Sequence, residues 1–285
     1  MVRDKKKVAK KAGRSPKATR KATVLRRRGR PSGAESALLD RATILSIAVQ
    51  LTKSMPLTDI SMIRVARELG VTPALIHYYM GGGGRHAVTS GVMNFFYSEL
   101  VKDWPQDSGS DWRHHLEVVA GAVYRGFIRY PGIAAYAVSH NRFRMIQSTG
   151  KTEVDYGIQF FERFTRAVMA IGFDAHSTIT YSHLLIEFII SSAHATVRHL
   201  WPGEHKDFLN RKLSTLDPTQ FPATHFVRES LINLNASEAL RIGLDLFLQA
   251  LELNRANLGS DSAVSRKLPA PGPGHKDNLP WAATE

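Results

Sequence analysis

The sequence predicts an all-α protein, on three observations. Apolar residues recur at helical spacing in a succession of segments from Leu38 to about Asn254. Gly, Pro and Ser/Thr/Asp punctuate those segments at the places where helix caps and turns want them. Nowhere does a run of alternating apolar and polar residues stand between turn signals, as a half-buried strand requires.

Residues 1–36 come first and carry almost all of the net charge. Residues 1–35 hold 14 Lys/Arg against two Asp/Glu, a net of +12, while the whole chain is only +13. With Gly13, Pro16, Gly29, Pro31 and Gly33 and no sustained apolar period, this stretch reads as a disordered basic arm. A cationic arm suits a polyanion, nucleic acid before an anionic membrane surface. Its end, "RRRGRPSG" (Arg26 to Gly33), contains Arg28-Gly29-Arg30-Pro31. That tetrapeptide resembles the core of an AT-hook, in which an arginine pair enters the narrow minor groove of A·T-rich DNA.

The next helices follow closely. Leu38, Ile44, Leu45, Ala48 and Leu51 share one face, and Lys53–Asp59 turns at Pro56. Ser61 caps a short helix, Met62–Leu69, which Gly70 ends at a left-handed position. Thr72 and Pro73 then open a second short helix to Tyr79, with Pro73 at the first helical position. Val65, Leu69, Val71 and Ile76 supply the apolar contacts between the two, and Ala66 is small where they cross. Two short helices held by so brief a turn are a helix-turn-helix, whose second helix can enter a major groove. A plain αα-hairpin in a helical core is the alternative reading. Against it stand the adjoining basic arm and the outward residues Thr72, Ala74, His77 and Tyr78, small or hydrogen-bonding rather than salt-bridged.

"ISMIRVARELGVTPALIHYYM" followed by "RHAV" resembles the DNA-binding region of TetR-family transcriptional regulators. Ser61 stands at the family's Thr, Val65-Ala66 at Ile-Ala, and Gly70-Val71-Thr72 at Gly-Val-Ser. Ile76 stands for Leu, His77 for Tyr, Tyr79 for His and Met80 for Phe, and Arg85 for the Lys that opens the fourth helix. The resemblance implies base and methyl contacts from Thr72, Pro73, Ala74, His77 and Tyr78. It implies phosphate contacts from Ser61, Tyr79 and Arg85, with Arg64 on the bracing helix beside them. Arg28 and Arg30 are expected in the adjacent minor groove. His77 departs from the family's tyrosine, and Gly81–Gly84 lengthen the gap before the fourth helix into an expected flexible hinge. These glycines are no phosphate loop, since no Gly-Lys-Ser/Thr ending follows and no strand precedes.

From Gly84 the helical patterns continue. Val88, Val92, Phe95, Phe96 and Leu100 mark a helix to about Lys102, and 103–110 break it. Further helices are predicted over Trp112–Tyr130, Ile133–Gln147, Glu153–Ile171 and Ser177–Leu200. Residues 201–235, with Pro202, Pro218 and Pro222, read as irregular before a last helix from Ser237 to about Asn254. That last helix, with "FPATHF" before it, resembles the end of regulators close to the tetracycline repressor. The expected domains are the arm (1–36), a helix-turn-helix DNA-binding domain (37–84), a helical effector-binding and dimerisation domain (85–256) and a disordered tail (257–285).

The aromatic-rich middle fits an apolar ligand cavity as well as an ordinary core. Trp112, Tyr124 and Phe127, with His183 and Glu187, are the candidate ligand-binding residues. His183, Glu187, Ser191, His194 and Arg198 form a polar stripe on one helix. Ser191, His194 and Arg198, together with Leu244, Leu248 and Leu251, are the candidate dimer seam. His183 and His194 stand about 16 Å apart along the axis and cannot share one ion, so no metal is expected.

Cysteine is absent, which excludes disulfides, thiolate metal sites and cysteine nucleophiles. No spacing singles out a catalytic nucleophile with its base, so no enzyme and no cofactor are expected. The longest apolar run, Leu184–Ile190, contains Glu187 and is too short to span a bilayer, and no apolar h-region follows the basic N-terminus; a cytoplasmic protein is expected, nucleoid-associated if it binds DNA. The expectation is a homodimeric repressor that binds a pseudo-palindromic operator and is released by a small-molecule effector. The alternative is an architectural DNA binder acting through its arm; an all-α enzyme ranks behind both.

Overall fold

A computed structural model describes residues 39–106, 111–139 and 153–260, the last three as backbone only. Leu38, Phe143, and the expected sites Arg28 and Arg30 lie outside the described residues, as does the expected helix beyond Ser139. Within the described residues every regular element is helical.

Local capping chemistry delimits the first helices. Helix α1 (Arg41–Leu51) starts where the Asp40 carboxylate accepts the Thr43 N–H at 2.7 Å. That bond holds the Asp40 carboxyl below the usual carboxylate range. Helix α2 (Met62–Glu68) starts at Ser61, whose Oγ accepts the Arg64 N–H at 3.1 Å. It ends in a Schellman pair: Gly70 donates to the Arg67 carbonyl and Val71 to the Ala66 carbonyl. Gly70 sits at φ +66°, the left-handed conformation that a Cβ disfavours. Helix α3 (Pro73–Tyr79) follows with Pro73 in its first turn. Ile44, Ala48, Val49, Val65, Ala66 and Ile76 are each no more than 1% exposed, so the three helices share a sealed core.

Two of the four glycines cap α3 at the place where the composition suggests a loose hinge. Gly81 donates to the Tyr78 carbonyl and Gly82 to the His77 carbonyl, both at 3.1 Å, which repeats the Schellman pair at the end of α3. Gly81, at φ +66°, takes the left-handed position. Helix α4 (Gly84–Lys102) starts after Gly83 and packs along α1, where a Cβ at Gly91 would lie 2.5 Å from a Leu45 methyl. The head is therefore bonded to α4 by packing as well as by chain.

The body is built from α4, α5 (Trp112–Arg129), α6 (Pro131–Ser139), α7 (Tyr156–Met169) and α8 (Ala175–Val197). Asp111, Asp155 and Asp174 cap α5, α7 and α8 through the backbone N–H three residues on. Helix α4 packs on α7, and α8 on α5, α6 and α7. Aromatic rings fill the centre: Phe96 lies 4.9 Å from Phe127, Tyr97 5.1 Å from Phe160, and Phe160 5.7 Å from Phe164. Each buried Phe contributes about 1.5–3 kcal/mol of apolar burial. One continuous core runs from the head helices into the body, and the described residues form one compact unit.

The stretch 201–235 differs from the irregular chain its prolines suggest. It holds a 3₁₀ turn (Pro202–His205) and two helices, α9 (Lys206–Leu213) and α10 (Pro222–Asn233). Pro202 and Pro222 each occupy a first helical turn, where the missing N–H costs nothing, so they start elements rather than break them. Helix α11 (Ala236–Ser260) closes the fold against α8.

Candidate nucleic-acid interface and cleft

Helix α3 divides its side chains sharply. Ile76 and Met80 are buried, while Thr72, Pro73, Ala74, His77 and Tyr78 are exposed, Tyr78 at 77%. Tyr79 is half-buried, its ring edge-on to that of Tyr78 at 5.4 Å. The Thr72 hydroxyl makes no cap hydrogen bond although its residue is the N-cap. The outward face thus offers a hydroxyl, an imidazole, a phenol and two small apolar groups without an ion pair. Those are groups that hydrogen-bond base edges and touch thymine methyls.

The flanking candidates lie around that face by different routes. Ser61 is exposed and uses its oxygen to accept within α2, which leaves its O–H to donate. Arg64 is half-buried, its guanidinium 3.7 Å from the Glu68 carboxylate. Arg85 is exposed in the first turn of α4, whose N-terminus no side chain caps. His86 beside it is exposed too, a hydrogen-bonding neighbour that the family pattern does not single out.

The candidate ligand residues do not converge. Trp112 and Phe127 lie fifteen residues apart on α5, about 22 Å along its axis. Trp112 packs under the Arg255 guanidinium at 6.0 Å, and Phe127 is 1% exposed within the core. The Tyr124 hydroxyl is hydrogen-bonded to Thr196 Oγ1 at 2.9 Å, tying α5 to α8. His183 is exposed and Glu187 half-buried on α8. None of the five lines the cleft of about 240 Å³ that opens between the C-terminal halves of α4 and α5. Its apolar floor is Phe96, Leu100, Trp104 and Val123, and its rim carries Glu99, Asp103, Arg125 and Arg129. Arg129 stands 3.7 Å from Asp103. Burial, and then the Glu99 charge, hold the Tyr130 phenol on its wall above the ordinary value, so it remains a donor. The Arg125–Arg129 spacing of four on α5 is the sequence signal that could have found this rim. Among the described residues no three His, Asp or Glu side chains gather at metal-binding distance.

The candidate dimer residues need one correction. Leu248 and Leu251 are 0% and 1% exposed in a single protomer, so they have no surface left to give to a partner. Their side chains belong to the protomer core. The apolar side chains that α11 turns outward are Ile242, Leu246 and Leu253, the last two 60% and 69% exposed. Ser191 and Arg198 are exposed, His194 and Leu244 half-buried. Burial, and then the nearby Arg198 charge, lower the His194 pKa. Among the described residues no helix is long and apolar enough to cross a membrane.

Residues 104–254 match the family of the tetracyclin repressor-like C-terminal domain. Among curated proteins none matches the chain. Solved structures do. Apo ActR from Streptomyces coelicolor is 19% identical, with 77% of this chain and 98% of that one covered at a TM-score of 0.64. ActR in complex with actinorhodin gives 20%, 76%, 98% and 0.63, and the TetR regulator SCO7222 of the same organism 20%, 75%, 97% and 0.58. At such identities the likeness is one of fold, and it covers about three quarters of this chain. Because the family match alone covers more than half of its length, the chain belongs to the tetracyclin repressor-like (TetR) family.

Proposed function

We propose that this protein is a dimeric, ligand-responsive transcriptional repressor. The observation that carries the reading is the exposed face of α3, set over a sealed three-helix core and free of ion pairs. Thr72, Pro73, Ala74, His77 and Tyr78 read bases and methyl groups in the major groove. Ser61, Tyr79, Arg85 and the less accessible Arg64 grip phosphate. Arg28 and Arg30 enter the neighbouring minor groove, and the lysines of the arm add a salt-dependent, sequence-independent attraction. Two heads on one dimer address half-sites about 34 Å apart.

The α4/α5 cleft is the proposed effector site. One of the structures of similar fold holds actinorhodin bound to ActR. Here the aromatic floor and mixed-charge rim suit a small amphipathic molecule. An effector that releases DNA must bind better to the DNA-free arrangement, because linkage is reciprocal. The dimer seam is assigned to α8 and α11, whose outward residues include Leu184, Ser191, Arg198, Ile242, Leu246 and Leu253.

Selection from a randomised DNA pool at moderate salt, by the full chain and by a chain without residues 1–35, tests the reading. Recovery of one palindromic site by both, more weakly by the shorter chain, supports it. Binding by the full chain alone, with no recovered motif, makes the arm the whole activity and the protein an architectural binder.

A further inference from the structure

The body holds α1 at both ends. At its start the Arg41 guanidinium is paired with the Glu153 carboxylate by two bonds, Nε to Oε1 at 2.7 Å and Nη2 to Oε2 at 3.1 Å. Beyond its end, Thr52, the fully buried C-cap residue, accepts the Gly132 N–H on its carbonyl at 2.7 Å. Gly132 is the second residue of α6 and is itself buried. A Cβ there would overlap the Met55 carbonyl oxygen and lie 2.8 Å from that of Thr52. Both obstacles are backbone, so no rotamer change makes room. Among the described residues this is the closest backbone approach that the head makes to a glycine of the body.

The cleft ends at the same place. Arg129 and Tyr130 line it, and Pro131 and Gly132 follow with no loop between, since α5 ends at Arg129 and α6 begins at Pro131. Pro131 has a fixed φ, which stiffens the connection. The Lys53 ammonium, one residue past Thr52, lies 5.8 Å from the centre of the Tyr130 ring. Only three residues along the chain therefore separate Arg129 on the cleft wall from the bond between Gly132 and the end of α1.

Resting on the repressor reading, we infer that Gly132 is a positioning residue that couples the cleft to the reading head: its N–H bond to the Thr52 carbonyl carries movement of Arg129 and Tyr130 into α1. Helix α1 passes it on, because it packs on both α2 and α4.

The test replaces the unidentified effector by a side chain. Ala122 lines the cleft, and Ala122→Trp fills it; Ala122→Leu serves if the tryptophan variant does not fold. Amide hydrogen exchange at Gly132 reads the joint without DNA. Filling the cleft is expected to speed that exchange about tenfold, because the exchange of a buried amide tracks how easily its bond opens. Unchanged protection at Gly132 overturns the inference. Affinities for the DNA selected by the wild-type chain supply the second readout, as a double-mutant cycle with Gly132→Ala. The filled cleft should weaken binding about tenfold in the wild-type background and hardly further in Gly132→Ala. Independent, multiplying effects overturn the joint but leave the repressor. Failure of the wild-type chain to select any motif overturns the repressor, while the exchange rates still read the joint.

Discussion

Ile76 and Tyr78 lie two residues apart on α3, one 0% and the other 77% exposed, and they predict opposite phenotypes. Ile76→Ala removes three buried carbons. At about 0.8 kcal/mol per carbon the lost burial is about 2.4 kcal/mol, and the cavity raises the total into a range of about 2–5 kcal/mol. The core there is continuous from α1 to α4, so little collapse is available to relieve it. Thermal unfolding should fall by about 5–15 °C for a chain of this size. Tyr78→Ala removes a solvated ring whose described ring contact is the edge-on one to Tyr79. Its stability should change by less than about 1 kcal/mol. Its affinity for the selected DNA should nonetheless drop about tenfold or more, the value of one good groove contact. Calorimetry and fluorescence anisotropy on the two variants, measured side by side, read both quantities. Equal loss of stability in the pair, or unaltered DNA affinity in Tyr78→Ala, would refute the assignment of α3 as a reading head.

Deleting residues 1–35 should weaken binding and flatten its salt dependence by about 0.9 in log–log slope for each phosphate released, as titration from low to moderate salt will show. Leu246→Glu should shift sedimentation toward a monomer that still unfolds cooperatively. Leu248→Ala should instead lower thermal stability, by about 2–5 kcal/mol, because its side chain lies inside the protomer. His194 has a lowered pKa in the fold, so the unfolded chain takes up its proton first as pH falls through the ordinary 6.5. Its contribution is intact above that pH and is lost below it; His194→Gln should make the acid-side decline in stability shallower.

The features legible in the sequence are those set by neighbours along the chain. Ser61 and Gly70 delimit α2 because a hydroxyl caps an N–H three residues on and a glycine tolerates φ +66°, and both requirements are local. Helical periodicity likewise picked out Val65 and Ile76 as the buried side of the head and left Thr72, His77 and Tyr78 outside. The AT-hook-like residues Arg28 and Arg30 stand on sequence resemblance alone, since they lie outside the described residues.

Tertiary packing decided the rest. Leu244, Leu248 and Leu251 share one strip of α11, and the elements packed on it, α8 among them, seal two of the three inside while Leu246 and Leu253 on another face stay exposed. Periodicity defines a helix's faces but not which neighbour covers each. The rim of the cleft joins Glu99 and Asp103 to Arg125 and Arg129 across two helices, a convergence that no spacing along one helix encodes. Gly132 carries no side-chain signal at all. Its importance comes from the Thr52 and Met55 carbonyls, about eighty residues earlier in the chain, which leave space there for a hydrogen atom and nothing larger.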